Sequence, residues 1–80
     1  MKKKSIVIPI NSYAELDKPE LIRVIENRLP CGTYVKSIKG FIINRDFISY
    51  NDIHKKKNSD IKHLIVSMGQ VEVSFTYIEY

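Results

Sequence analysis

Residues 70–77 alternate without a break. Val71, Val73, Phe75 and Tyr77 fall on one side, and Gln70, Glu72, Ser74 and Thr76 on the other. A period of two specifies a strand with one buried and one wet face. No other stretch limits the possible folds as tightly. Residues 62–68 precede it, and Met68-Gly69 has the composition of a two-residue turn. A hairpin on that turn pairs Val66 with Val71 and Leu64 with Val73, which gathers the large apolar side chains on one face. A slip of one residue sets Val66 against Glu72, which sidedness rejects. The pattern predicts a final hairpin with Leu64, Val66, Val71, Val73 and Phe75 in the core.

Earlier elements follow from the same rules. Ile6, Ile8 and Ile10 share a face in a first strand, and Pro9, lacking an amide hydrogen, places that strand near an edge. Residues 1–4, with three lysines, read as a solvated basic tail. Ser12-Tyr13-Ala14-Glu15 has capping-box spacing. Pro19 is tolerated only in a first turn, so the main helix starts near Lys18 or follows a short turn. Leu21, Ile22, Ile25 and Leu29 form its apolar stripe, and Pro30 and Gly32 stop it. Residues 33–44 read as a long strand with a bulge or close approach at Gly40, reached by a parallel return over the helix. A turn at residues 44–46 leads to a third strand at 47–50, and residues 51–60 read as a polar, basic loop, with room for one helical turn capped by Asn51. The sum is an α+β domain, β-α-β-β-loop-β-β, with one main helix on a mostly antiparallel sheet of four to five strands.

Size and charge narrow the function. Eighty residues make a single domain. Such a chain buries only roughly 60% of its unfolded surface, which leaves little room for a deep, dry active site. Thirteen Lys+Arg against nine Asp+Glu give +4, which excludes an acidic mimic of nucleic acid. Heavy use of Ile, Lys, Asn and Tyr matches the codon bias of an AT-rich genome, such as a low-GC bacterium or its phage. One cysteine forbids an internal disulfide and suits the cytoplasm. No apolar run approaches the ~20 residues of a membrane helix.

Motifs for chemistry are absent. There is no HxxxH, no CxxC and no glycine-rich phosphate loop. His54 and His63 read as exposed histidines without a chemical role, and Cys31 as a small, buried or partly buried residue without a base. No metal, cofactor or small-molecule ligand is expected. Lys55, Lys56, Lys57 and Lys62 form a basic cluster suited to phosphates, and the plain reading is a solvated loop that guards a strand edge. Core or rim packing is the plain reading of the tyrosines; Tyr34 and Tyr50 are the two that could stack on bases from the surface, and Tyr77 reads as core.

The first hairpin is apolar on both faces. A three-residue turn puts Phe41, Ile43 and Phe47 on one face, and Ile42, Ile48 and Tyr50 on the other. A strand apolar on both sides is buried on both sides. The first set can meet the helix, which leaves Ile42, Ile48 and Tyr50 either to be covered by the chain itself, through a curled sheet or residues 12–17, or to serve as a face for a protein target or a homodimer. These observations favour a small non-catalytic protein-binding module, such as an inhibitor or adaptor carried by a phage or mobile element and acting on a host protein. A small basic DNA- or RNA-binding protein using Lys55, Lys56, Lys57, Lys62 and Tyr34 is the alternative. A toxin-type ribonuclease is a third reading, supported by residue types alone.

Overall fold

The computed structural model describes residues 2–79. Four strands form one antiparallel sheet: β1 (Lys2–Pro9), β2 (Thr33–Ile43), β3 (Asp46–Ser49) and β4 (Gln70–Glu79). Their spatial order is β1-β4-β2-β3. Three α-helical segments connect them: α1 (Lys18–Asn27), a single turn α2 (Tyr50–Ile53) and α3 (Ser59–Met68). The α+β architecture expected from the sequence is therefore observed. Since β1 and β2 both pair antiparallel with β4, they run parallel to each other with β4 between them.

The central strand is the one whose alternation was cleanest. Val71, Val73 and Phe75 of β4 are buried, with Val73 fully so. Their neighbours across the sheet continue the same face: Ile6 and Ile8 of β1 oppose Val73 and Val71, and Ile38 and Phe41 of β2 oppose Phe75 and Val73. Leu21 and Ile25 of α1, Ile53 of α2 and Ile65 of α3 close this core, with Ile22 and Leu29 packed at its margin. The α1 stripe and start are as expected, with Pro19 in the first turn.

Strand β2 places apolar residues three apart, at Val35, Ile38 and Phe41, which strict alternation forbids. Two register shifts against β4 reconcile the spacing: the extra residues are Lys36 and Lys39, both exposed. The carboxylate of Glu26 accepts a hydrogen bond from the Val35 amide at 3.0 Å, tying α1 to the irregular strand. The bulge expected near Gly40 is thus present, with a second beside it.

Two expectations are overturned. Residues 62–68 are not a strand: they belong to α3, and Gly69 (φ 76°) is its left-handed C-cap. The Gly69 amide closes the helix on the carbonyls of Ile65 and Val66. Leu64, expected in the core, is exposed and Val66 is half-buried, while Ile65, not among the expected core residues, is buried. Ile65 and Val66 are adjacent in sequence and both pack on the core, with Ile61 one turn before them; a helix keeps such neighbours on one broad face, whereas an extended chain turns them to opposite sides. The second partner of β4 is β1 instead. Lys2, Lys3 and Lys4, expected as a loose tail, form the first half of β1 opposite Tyr77, Thr76 and Phe75. Met1, also assigned to that tail, and Tyr80 lie outside the described residues.

The polar stretch after β3 does hold a single helical turn, capped by Ser49 rather than Asn51. Ser49 caps α2 by accepting the Asp52 amide at 3.2 Å, and Asn58 donates to the Asp52 carbonyl at 2.5 Å. The expected capping box is not made. Glu15 accepts the amide of Asn11, not Ser12, and Ser12 makes no side-chain cap.

Candidate functional site

All the helices pack on the face that carries Val71, Val73 and Phe75, so the other face of the sheet is uncovered. Residues paired across neighbouring strands share a face, and the register lays out this open face in rows. Val7, Glu72, Ile42 and Phe47 form one row across all four strands. The next row is small: Ser5, Ser74, Gly40 and Ser49. Thr76 and Ser37 follow, sharing a hydrogen bond at 2.7 Å, with Lys3 beside them. Ile78 and Tyr34 complete the face. Val7, Phe47 and Tyr34 are each about half exposed, at 51%, 56% and 51%. Glu72 stands in the apolar row and accepts from the Ser5 hydroxyl at 3.3 Å.

An open cleft of about 170 Å³ lies beside the apolar row, between Val7 and Ile42, where the strands part. The β2–β4 ladder stops at Ile42 and Glu72, while β4 continues to Gln70 and β2 turns away at Asn44. Val7 and Ile42 from the open face and Ile43, Val71, Ile65 and Met68 from the helix-covered side supply the apolar walls, and Asn44, Gln70 and Glu72 the polar rim. Met68 is 52% exposed at its mouth. The volume admits one aliphatic side chain.

The structure divides the three residues expected to form an interface. Ile42 lies on the open face. Ile48 and Tyr50 pack against the core cluster, opposite the expected face. The cause is the turn. Ile43 pairs directly with Asp46, so the loop has two residues, Asn44 (φ 50°) and Arg45 (φ 72°), rather than three. Two positive φ values match the hairpin turn whose twist suits the strands. One residue fewer turns every side chain of β3 to the other side. Phe47 therefore takes the exposed position, and Ile48 opposes Phe41 in the core.

The lysine group and the stacking tyrosine are not brought together. Lys55, Lys56 and Lys57 lie in the connection from α2 to α3, and Lys62 is in α3, on the helical side. Tyr34 is on the opposite face of the sheet. Lys55 is held by Asp52 at 2.9 Å, and this contact, then Ser49, draws the Asp52 carboxyl below its usual range. A second groove, between α1, α2 and β2, is lined by Lys18, Lys39, Ser49, Tyr50 and Asn51.

The histidines are more engaged than expected. The ring of His54 meets Tyr50 edge-on at 4.6 Å, and its Nε2 is enclosed without a hydrogen-bond partner. Burial holds its pKa below the usual histidine value; Lys62 acts in the same direction and Asp17 opposes. Burial likewise raises the Tyr50 phenol, partly offset by the Lys18 backbone amide. His63 Nδ1 is hydrogen-bonded to the Tyr13 hydroxyl, with the rings edge to face at 5.3 Å. Neither histidine lines either groove. Cys31, expected to be buried or partly buried, is exposed. Among the described residues no group of three His, Cys, Asp or Glu is placed to hold a metal ion, and no helix is long and apolar enough to cross a membrane.

Sequence reasoning missed Phe47 as a surface residue and Val7 as its companion. Val7 carried a signal, being the one apolar residue out of phase with Ile6, Ile8 and Ile10. The chain matches no protein-family model, no curated protein and no solved structure.

Proposed function

We propose that this chain is a non-catalytic protein-binding module, an inhibitor or adaptor of the kind carried by phages and mobile elements, acting in the cytoplasm. The observation that supports this reading is the one-sided placement of the helices. It leaves the row Val7, Ile42 and Phe47 on a bare sheet face, next to a cleft of side-chain size. A small domain gains about 25 cal/mol for each Å² of apolar surface removed from water, and a partner recovers what this face forgoes. Apolar anchors beside a pocket, with Ser5 and Ser74 in the next row and the single carboxylate of Glu72 among the anchors, offer a partner both apolar contact and one fixed polar point. The exposed single cysteine suits a reducing compartment.

The test is a benzophenone amino acid placed at position 47 and cross-linked in host cells. A discrete adduct with another protein is expected, and it should vanish when Ile42→Lys is added. Thermal melting of Ile42→Lys checks that the fold survives. A folded protein with no adduct at position 47 removes the reading.

One observation favours a second reading, nucleic-acid binding: Lys18 and Lys39 line one groove, with Asn51 between the elements that carry them. On that reading, affinity for single-stranded nucleic acid falls steeply with salt, and Lys18→Gln with Lys39→Gln flattens the slope. Absence of binding at low salt eliminates it.

A further inference from the structure

Strand β1 ends the sheet, and its hydrogen-bonding pattern shows what its outer edge offers. The amide of Ile10 donates to the Gly69 carbonyl at 2.9 Å, one step beyond the Pro9–Gln70 pair and in the same register. Antiparallel alternation then turns the amides of Lys2, Lys4, Ile6 and Ile8 toward β4, and those of Lys3, Ser5 and Val7 away from it. Pro9 belongs to the outward set, so its missing amide hydrogen costs no ladder bond. No described strand pairs on that side. The outward set leaves three amides and the carbonyls of Lys3, Ser5, Val7 and Pro9 along an exposed edge. The same residues put their side chains on the open face, so an added strand would widen that face.

The charges on this edge select the occupant. Lys2 is held by Glu79 at 3.3 Å, whereas no ion pair among the described residues holds Lys3 or Lys4. Edge lysines discourage pairing between identical chains. In the two-fold pairing centred on Ser5, the two copies of Lys4 meet on a diagonal, which is unfavourable. A strand with carboxylates opposite Lys3 and Lys4 and apolar residues opposite Ile6 and Ile8 satisfies every feature. We propose that the outer edge of β1 receives an extended acidic segment of a partner protein by strand addition. This rests on the protein-binding reading above and specifies how the partner docks.

The probe is a capped heptapeptide of three valines, a threonine and three glutamates, made in both chain orders, with lysines replacing the glutamates in a control. It is titrated into the isotopically labelled protein and followed by amide NMR and hydrogen exchange. The expected result is binding of the acidic peptide, protection of the amides of Lys3, Ser5 and Val7, and roughly tenfold weaker binding of the lysine control. Ser5→Pro removes an outward amide while leaving the β1–β4 ladder intact, and should abolish binding. Should Ser5→Pro melt, Lys3→Glu with Lys4→Glu replaces it and must reverse the preference between the two peptides. Failure of both acidic peptides to bind overturns strand addition. Shifts confined to Ile42 and Phe47 overturn the edge but keep the open-face reading. Equal binding of the control overturns the acidic partner, as does self-association that Ser5→Pro abolishes. The adduct at position 47 tests the protein-binding reading itself, independently of this edge.

Discussion

The ring of Phe47 lies over Gly40: its Cζ stands 2.7 Å from the place a Cβ on residue 40 would occupy. The Ile48 carbonyl crowds the same point even more closely. An aromatic ring thus covers the gap that glycine leaves in β2, and only glycine admits β3 at this distance. Gly40→Ala must push β3 away. The expected cost is about 1–3 kcal/mol, as for other overpacking changes, read as a lowered denaturation midpoint. An unchanged midpoint would show that β3 shifts freely and that Phe47 is not seated there.

The β2–β3 turn carries two non-glycine residues at positive φ, Asn44 and Arg45. Asparagine tolerates this region, whereas arginine does not, and Asn-Gly is the preferred pair for such a turn. Arg45→Gly should stabilise the protein by about 1 kcal/mol, measured by urea unfolding. Destabilisation instead would argue for a longer loop, and so for the register that places Ile48 on the open face.

Val73 is fully buried, with Ile6 and Phe41 opposite it on the two neighbouring strands. Val73→Ala should cost about 1–3 kcal/mol through lost burial and the space left behind. The same change at Val7, exposed on the outer strand, should be nearly silent in unfolding. A comparable loss at both positions would mean that the two faces of the sheet are not unequal.

Stability should depend on pH through His54. Burial lowers its folded pKa, so the unfolded chain binds the proton more tightly. The contribution is therefore full above about 6.5, the usual histidine value, and is lost as pH falls through that value toward the lower folded pKa. Asp52, also lowered, adds a loss of the same sign, but only in the carboxylate range. The melting temperature should fall between about pH 7.5 and about pH 5, and His54→Gln should reduce that fall. Equal falls in both proteins would place His54 in solvent.

Local periodicity determined much of this protein. The alternation of Val71, Val73 and Phe75 defined β4 and its buried face, because each step of an extended chain reverses the side chain. Leu21 and Ile25 behind Pro19 defined α1, because a prolyl ring is admitted only where no amide hydrogen is required. Residues 61–69 were open to two readings. A left-handed glycine serves equally as a hairpin turn or a helix cap, and Leu64, Ile65 and Val66 suit either period. Tertiary packing chose the helix, since the neighbours Ile65 and Val66 reach the core together while β1 takes the place beside β4. The candidate site was less legible still. Whether Phe47 or Ile48 faces solvent depends on one residue in the β2–β3 turn, and a hairpin apolar on both faces carries no internal signal for that choice. The helices made it: all pack on one side, which leaves the row from Val7 to Phe47 uncovered.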